Sequence, residues 1–433
     1  MIVMVLGLFS GEGLALASQD WPQFLGPNGN GSLAWPQGEA VLPPEGPKVE
    51  WRVDTGPGFG GAAIHGDKVF LLDRISKEEQ DRLRVLALED GKPLWDADYE
   101  APGRLNFRGS RSVPVVTDSH VYTSGGMGHI TAFDRRAQRI AWAVNVEKEM
   151  EGKRPLFGFS ANLLLLEDAV VGAVLAKDVG LAAFDRESGK VLWKTQGVGY
   201  SHSSPVLVEI AGKPTILFQG CPTSASAAEK AVPSWIHGFD PKTGELLFRH
   251  ETKFARLPIP APIQIDAERF FFTAGYSAGS RLLKITKPGA EYVIEELFSH
   301  ERGSQVHPGI HHGDFIYLLA NENKNQSGRR RVNGGLMCLS LEGEEIWRTG
   351  DDPYFGLGAP LLLGDTLLIQ DGDTGLLRSI AASSEGFELL GTFDGFGYEK
   401  DKKGQIWSPM AIKDGLLISR SQTELVCVSL GKP

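Results

Sequence analysis

The sequence comprises 433 residues, of which 42% are hydrophobic and 23% charged, a balance typical of a folded globular protein. Acidic residues outnumber basic residues by 54 to 44, and the net charge of −10 disfavours nucleic acid or an anionic membrane surface as the partner. The 53 glycines and 25 prolines indicate many tight turns, so we predict an all-β chain. The three cysteines, Cys221, Cys338 and Cys427, include no CxxC pair, and we expect small buried side chains rather than a disulfide framework or a zinc site.

The chain begins with a short apolar run, residues 2–9, which precedes the small-residue spacing Ala15-Leu16-Ala17 that signal peptidase reads. We therefore predict a signal peptide over residues 1–17 and a periplasmic or secreted mature protein. Two features argue against this interpretation, because no Lys or Arg precedes the run and Gly11-Glu12-Gly13 interrupts it. No later stretch reaches the about 18 apolar residues of a membrane-spanning helix, so we expect no integral membrane segment in the mature chain.

From residue 48 onward, one unit recurs eight times. Each copy ends on a large apolar residue, and successive copies lie 42 to 55 residues apart. These residues are Trp51, Trp95, Trp142, Trp193, Phe248, Phe298, Trp347 and Leu389. A unit of this length holds about four short strands with their turns, which is the size of a propeller blade.

Two elements recur inside the unit. One is a strand end such as Ala183-Phe184-Asp185, a turn such as Glu187-Ser188-Gly189, and a strand whose aromatic residue is expected to pack against the neighbouring sheet. The other lies upstream and consists of a small or polar run, usually a proline, an apolar strand and a turn. Because both elements keep the same register, we predict an eight-bladed β-propeller over residues 48–433, preceded by an N-terminal extension over residues 18–47.

The two ends of the repeat region complement each other. The chain ends on the strand ELVCVSL without a following Trp strand, whereas Lys48–Val53 precedes the first upstream element. We predict that Val49–Val53 forms the outermost strand of the last blade. This pairing would close the ring and leave no open sheet edge between the terminal blades.

The signature AxDxxTGxxxW, seen best at Ala183–Trp193 and as a variant at Gly238–Phe248, resembles the pyrroloquinoline-quinone (PQQ) repeat. That repeat occurs in quinoprotein dehydrogenases and in noncatalytic periplasmic propellers such as the outer-membrane assembly lipoprotein. The resemblance covers roughly Lys48–Leu430 and implies the propeller fold rather than one activity. The segment Trp21–Gly31 also resembles one that precedes this repeat in many bacterial propeller proteins, and we expect an ordered tail on the propeller surface.

The resemblance leaves two functions open. The family's dehydrogenases carry a vicinal disulfide beside the quinone, a Trp under its ring, and acidic and amide ligands to calcium, whereas no two cysteines are adjacent here. We therefore expect no cofactor and a noncatalytic binding or scaffolding propeller. The alternative is a PQQ-dependent oxidoreductase with bound PQQ and calcium.

Propellers present the loop before each innermost strand at one mouth of the central channel, where function usually lies. Alignment of the eight copies places basic and histidine residues from five blades on this rim. They are Arg108, Arg111, His202, Arg256, Arg302, His307 and Lys403. Trp407 lies in the same segments, so we predict an apolar floor with cationic walls that binds a peptide, a protein or a small anionic ligand. The alternative is a solvated rim whose cations pair with local acids such as Glu301 and Asp401.

Other patterns predict no further site. The loop Asp371–Gly375 lacks the bidentate Glu of a calcium loop and is better interpreted as a turn. His311 and His312 lie next to each other in a strand, so alternation places them on opposite faces and no metal site is expected. No GxSxG, HExxH or P-loop motif is present, and the rim lacks the paired carboxylates that a carbohydrate-acting propeller would need, so we assign no catalytic residues.

Overall fold

The computed structural model describes residues 19–36, 41–222, 233–252, 257–323, 331–398 and 405–430. Within these ranges the strands form eight sheets, arranged as the eight blades of a β-propeller, and the predicted fold is confirmed. The predicted signal peptide, residues 1–17, lies outside the described residues. In the part of the chain that is described, no helix is long and apolar enough to span a bilayer.

The strands follow the chain blade by blade. Two strands precede the first blade, β1 (Ser32–Leu33) and β2 (Lys48–Asp54). Blade 1 contains β3 (Ala63–His65), β4 (Lys68–Ile75), β5 (Gln80–Ala87) and β6 (Pro93–Glu100). Blade 2 contains β7 (Val115–Val116), β8 (His120–Ser124), β9 (His129–Asp134) and β10 (Arg139–Asn145), followed by the short helix α1 (Val146–Glu149). Blade 3 contains β11 (Leu164–Leu165), β12 (Ala169–Ala173), β13 (Leu181–Asp185) and β14 (Val191–Lys194). Blade 4 contains β15 (Val206–Ile210), β16 (Lys213–Gly220), β17 (Ser234–Phe239) and β18 (Leu246–Thr252).

The second half repeats the arrangement. Blade 5 contains β19 (Ile263–Gln264), β20 (Arg269–Ala274), β21 (Gly279–Thr286) and β22 (Val293–His300). Blade 6 contains β23 (Ile310–His312), β24 (Phe315–Asn323), β25 (Arg331–Ser340) and β26 (Glu345–Arg348). Blade 7 contains β27 (Ala359–Leu363), β28 (Thr366–Gln370), β29 (Leu377–Ala381) and β30 (Leu389–Phe393). Blade 8 contains β31 (Ala411–Lys413), β32 (Leu416–Arg420) and β33 (Glu424–Ser429), completed by β2.

The first strand of each blade lies innermost. Strand β3 contacts the first strands of both neighbouring blades, β7 and β31, whereas fourth strands such as β6 are largely exposed. Consecutive strands within a blade pair antiparallel. The eight first strands therefore surround a central channel, and the loops that precede them meet at one of its mouths.

Neighbouring blades are joined by the aromatic residue that defines the repeat. Trp142, on the outer strand of blade 2, donates a hydrogen bond of 2.9 Å from Nε1 to the carbonyl oxygen of Arg186 in the turn of blade 3. Its ring packs so closely on Gly189 that a Cβ there would lie 2.6 Å away. Gly189 also has φ of 69°, a conformation that glycine adopts without steric cost. The shape of this turn therefore explains why Gly and Trp recur together in the repeat.

The ring closes as predicted. Strand β2 pairs antiparallel with β33 over Lys48–Asp54, so the N-terminal strand supplies the outermost strand of blade 8. Trp51 on β2 then donates from Nε1 to the carbonyl oxygen of Leu88 in blade 1, at 2.8 Å, which repeats the contact between other blades. Because β2 pairs with β33, the last blade has four strands like the others and β33 is not left as an unpaired edge.

A buried polar group reinforces the closure. Arg420, at the end of β32 and only 1% exposed, lies 3.3 Å from the carboxylate of Asp73 in blade 1. It also donates to the carbonyl oxygen of Gly60 at 2.7 Å and to the hydroxyl of Ser110 at 2.9 Å. One side chain therefore connects blades 8, 1 and 2, and its charge is compensated by a buried carboxylate.

The N-terminal extension packs more deeply than the surface position that we predict from the sequence. Trp21 is 1% exposed and pairs with Ile64 of β3. The carbonyl oxygen of Pro22 accepts from Val116 of β7, and β1 pairs in parallel with β27. Asp20 lies 2.5 Å from Lys413 at the end of β31. The extension therefore contacts the innermost strands of four blades at the end of the channel opposite the loops, which we call the closed end.

Several smaller predictions can be compared with the structure. Cys221, Cys338 and Cys427 are all buried, as expected. The carboxylate of Asp371 accepts from the backbone N–H groups of Asp373 and Thr374 at 2.9 and 2.8 Å, so this segment is a turn.

Candidate functional site

The mouth of the channel contains a cavity of about 400 Å³. Most of its walls come from the loops that precede the innermost strands of blades 1 to 6 and 8, and Phe24 of the extension also lines it. The lining residues are Phe24, Phe59, Phe107, Arg111, Val113, Phe157, Ser160, Asn162, His202, Ser204, Ile259, Tyr276, Gln305, Val306, His307, Gln405, Trp407 and Pro409. This volume lies within the range of small-molecule sites in proteins.

Aromatic rings form one continuous part of the wall. Phe107 is 5.9 Å from Phe59, 5.8 Å from Trp407 and 5.6 Å from Phe157 between ring centroids. Phe59 and Trp407 are themselves 5.3 Å apart. Because these rings come from blades 1, 2, 3 and 8, the cluster joins distant parts of the sequence and presents a rigid apolar surface to the cavity.

Arg111 is the cation of the cavity. Its guanidinium donates to the carbonyl oxygens of Gly109 and Phe107, and its Cζ lies 5.7 Å from the centroid of the Phe59 ring. Burial lowers the pKa of Arg111 to about 9, so the side chain keeps its charge at neutral pH. Among the described residues, no ion pair joins Arg111 to a carboxylate. Asp81 stabilises the charge of Arg111 only from beyond ion-pair distance, so this half-buried charge favours an anion in the cavity.

His202 lies at the centre of a polar group on the blade 3 and 4 side. Its Nδ1 is 2.7 Å from the hydroxyl of Ser160, and its Nε2 is 3.0 Å from the hydroxyl of Tyr200. Burial lowers the pKa of His202 to about 3, so the ring is neutral at pH 7. It therefore contributes hydrogen bonds and not charge.

His307 and Trp407 meet on the opposite arc of the ring. Nε2 of His307 lies 2.9 Å from the carbonyl oxygen of Trp407, and burial lowers the pKa of His307 to about 4. The indole Nε1 of Trp407 is buried and has no hydrogen-bond partner among the described residues. An unpaired buried donor costs free energy unless something accepts from it, so it is a candidate ligand contact.

The structure brings together part of the predicted rim. Arg111, His202, His307 and Trp407 all line the cavity. Arg108 is exposed and is not part of the lining. Arg302 lies 3.6 Å from Glu301 and 3.7 Å from Glu345, which is the pairing with local acids that we give as the alternative. Arg256 and Lys403 lie outside the described residues.

The electrostatics also differ from the predicted cationic walls. Since His202 and His307 are neutral at pH 7, the charge of the described lining is that of Arg111 alone. Sequence patterns can place a histidine on the rim, but they do not show whether its ring is buried. Burial lowers the pKa of the ring and so removes its positive charge at neutral pH.

Sequence reasoning did not single out Ser160, Asn162 and Ser204. One signal for Asn162 was available: six of the eight copies have proline at this position, and asparagine departs from that pattern. Its side chain accepts from the backbone N–H of Val113 at 2.8 Å and so links blades 2 and 3. Phe24 carried no signal, because nothing in the repeat shows that the extension reaches the channel.

The lining does not fit a quinone held by calcium. Calcium takes six to eight oxygen ligands that usually include carboxylates, and the described lining contains no Asp or Glu. The described residues also hold no group of three or more His, Cys, Asp or Glu side chains that could bind a metal. His311 bonds to Gly313 and His312 pairs with Asp365, so these two histidines have separate partners.

The fold and the channel site together define a PQQ-like propeller. A family model described as outer membrane protein assembly factor BamB matches residues 79–349. Since this match spans more than half of the chain, the protein belongs to that family.

The solved structures of BamB and of an alcohol dehydrogenase are both similar in fold to this protein. The structure of BamB from Moraxella catarrhalis superposes with a TM-score of 0.59 at 14% identity, and the match covers 88% of this chain and 97% of that one. A quinohemoprotein alcohol dehydrogenase from Comamonas testosteroni gives a TM-score of 0.62 at 11% identity, with coverage of 96% and 81%. At such identities the likeness shows the fold alone.

One curated relative is an enzyme. A 1-butanol dehydrogenase (quinone) of Thauera butanivorans is 26% identical over 160 residues, which is 35% of this chain. The match spans only 24% of the length of that relative. It is therefore similar to one part of this propeller.

Proposed function

We propose that this protein is a noncatalytic binding propeller that holds an anionic group in the cavity at the channel mouth. The observation that carries the proposal is Arg111, a charged guanidinium in an aromatic cavity with no carboxylate paired to it among the described residues. An anion would neutralise this charge, and the surrounding rings would exclude water and strengthen the interaction.

The anionic group belongs either to a small molecule or to a peptide or protein partner. The description of the family as an assembly factor supports a protein partner. A cavity of about 400 Å³ admits one side chain or chain terminus of such a partner, while the exposed rim around it would contact the rest.

The proposed site can be tested with an apolar anion, 1-anilinonaphthalene-8-sulfonate, whose fluorescence rises in an apolar cavity. We expect Arg111→Ala to weaken its binding to the full chain about tenfold or more, because the charge-assisted contacts are lost. Arg108→Ala is the matched control, since Arg108 is an exposed neighbour outside the lining. Equal affinity of the two variants would refute the site.

The dehydrogenase alternative is supported by the quinone-dependent relative. This alternative requires PQQ and calcium, which the described lining does not fit. The purified protein can be tested directly for both. Incubation with PQQ and calcium should produce neither bound quinone absorbance nor reduction of an electron-accepting dye. If both appear, the protein is an oxidoreductase and the noncatalytic proposal is wrong.

Export from the cytoplasm is part of the proposal. It is supported by the apolar run at residues 2–9 and by the family description, which refers to the outer membrane. We expect mass spectrometry of the mature protein to find Ser18 as its first residue. A mature chain that retains residues 1–17 would contradict this location.

A further inference from the structure

The hydrogen bonds behind the cavity run in one direction. The backbone N–H of Leu156 donates to the hydroxyl oxygen of Tyr200 at 2.6 Å. Burial raises the pKa of Tyr200 to about 12, so the phenol keeps its proton at neutral pH. Because a backbone N–H can only donate, the Tyr200 proton is free to point to Nε2 of His202, 3.0 Å away.

This order favours one tautomer of His202, which we assign as follows. If Nε2 accepts from Tyr200, the single proton of the neutral ring lies on Nδ1, which then donates to the Ser160 hydroxyl oxygen at 2.7 Å. The Ser160 hydroxyl therefore receives a hydrogen bond from the protein and must direct its own proton elsewhere. The described acceptor within reach is the carbonyl oxygen of His202 at 3.5 Å, a long contact.

A second chain of hydrogen bonds makes the Ser204 hydroxyl accept from the protein, as the Ser160 hydroxyl does. The backbone N–H of Val113 fixes the amide of Asn162 by donating to its Oδ1 at 2.8 Å. Asn162 then donates to the hydroxyl oxygen of Ser204 twice, from its backbone N–H at 2.9 Å and from Nδ2 at 3.0 Å. With both lone pairs of Ser204 engaged, its hydroxyl can only donate further.

The polar wall of blades 2 to 4 therefore presents donors to the cavity. Arg111 adds N–H donors and one positive charge, with its other N–H groups already engaged by carbonyl oxygens. Ser160 and Ser204 add two hydroxyl donors oriented by the protein. A ligand that meets this wall needs acceptor oxygens and one negative charge, because a dianion would find a single described cation to balance it.

We propose that the cavity recognises a monocarboxylate with an aromatic or branched apolar body. Its oxygens accept from Arg111, Ser160 and Ser204, and its body packs against the rings of Phe59, Phe107 and Trp407. This inference rests on the proposed function of the cavity and adds the ligand class and the two serines that select it. His202 and Asn162 also line the cavity, and we assign them as positioning residues because they orient the two serine hydroxyls.

The test uses three probes that share a phenyl ring on a short alkyl chain and differ in the end group: 3-phenylpropionate, 3-phenylpropan-1-ol and 3-phenylpropylamine, titrated calorimetrically into the full chain. We expect the carboxylate to bind about tenfold or more tightly than the alcohol, and the amine not to bind, because it brings a cation and donors to a wall of donors. Equal affinities for the acid and the alcohol, or no binding of the acid, would overturn the inference.

Two serine variants examine the donors themselves. Ser160→Ala and Ser204→Ala should each weaken 3-phenylpropionate about threefold to tenfold and leave the alcohol nearly unchanged. Ser188→Ala is the control, because Ser188 lies in an exposed turn where it bonds to Asp185. If the three variants bind the acid equally, the serines do not select the ligand.

A spectroscopic measurement tests the positioning without any ligand. The ¹⁵N chemical shifts of His202 should show a neutral ring protonated on Nδ1, and Tyr200→Phe should release this preference. A ring protonated on Nε2 would contradict the chain of donors. If Arg111→Ala weakens binding of the fluorescent anion but the acid and the alcohol bind equally, this inference alone is wrong. If Arg111→Ala leaves binding of the fluorescent anion unchanged, the proposed function is wrong.

Discussion

The two ends of the central channel are built from the same eight repeats and yet differ in chemistry. At the closed end, Asp20 is paired with Lys413, and the backbone of the extension hydrogen-bonds to the inner strands. At the open mouth, Arg111 has no described carboxylate partner and Nε1 of Trp407 has no described acceptor. The comparison teaches that polar groups paired within the chain stabilise the propeller, whereas unpaired ones at the mouth are available to a ligand.

Two tryptophans, one at each end, give the largest expected effect. Trp21→Ala should lower the free energy of unfolding by about 3 to 5 kcal/mol, because it leaves a cavity where a 1% exposed indole fills the closed end. Trp407→Ala should cost clearly less stability, since Trp407 is half-buried, and should weaken binding of the fluorescent anion. Denaturant titration and anion binding on both variants measure this contrast. If Trp407→Ala destabilises the fold as much as Trp21→Ala, the distinction between the ends fails.

The ion pair at the closed end gives a smaller effect. Burial alone would raise the pKa of Asp20, but the hydrogen bonds from Lys413 and from the Gly66 N–H lower it below the usual 3.8. The stabilisation is therefore present above pH 3.8 and is lost as the pH falls through the folded-state pKa. Asp20→Asn should cost about 1 kcal/mol at neutral pH by denaturant titration.

Asp118→Asn is the control for that variant. His65 lies 3.8 Å from Asp20 and 3.3 Å from Asp118, but the Asp118 side chain is fully exposed, so we expect no measurable loss of stability. An equal loss in both variants would mean that the half-buried pair of Asp20 and Lys413 stabilises the fold no more than an exposed carboxylate does.

The smallest effect concerns pH at the mouth. Since the pKa values of His202 and His307 are lowered to about 3 and about 4, both rings stay neutral between about pH 6 and about pH 8. Affinity for the fluorescent sulfonate, which stays ionised, should therefore be flat over this range. A rise in affinity on acidification with a midpoint near 6.5 would show that a histidine of the cavity gains a proton, which would contradict the assignment of Arg111 as the only cation in the described lining.

The sequence predicted the fold because the repeat is written in residues with direct structural consequences. Trp142 and Gly189 recur together since the ring occupies the space where a side chain would lie, and this coupling is visible in the spacing alone. The closure by Val49–Val53 was predictable for the same reason, because the last copy lacked its Trp strand.

The site was less accessible to sequence reasoning. The alignment of the repeats found the mouth and four of its lining residues, Arg111, His202, His307 and Trp407. It could not distinguish Arg302, which pairs with Glu345 on a neighbouring strand, from Arg111, which faces the cavity. The hydrogen-bond direction at His202 depends on Tyr200, two residues away, and on Ser160 in the loop of another blade, and no local pattern encodes the contact with Ser160.

The most direct test of the account is a crystal structure of the full chain soaked with 3-phenylpropionate. We expect the carboxylate within hydrogen-bond distance of Arg111 and the Ser160 hydroxyl, with the phenyl ring against Phe59 and Trp407. Density for the probe elsewhere on the propeller, with an Arg111 side chain paired to a carboxylate of its own chain, would contradict the assignment of the mouth as the binding site.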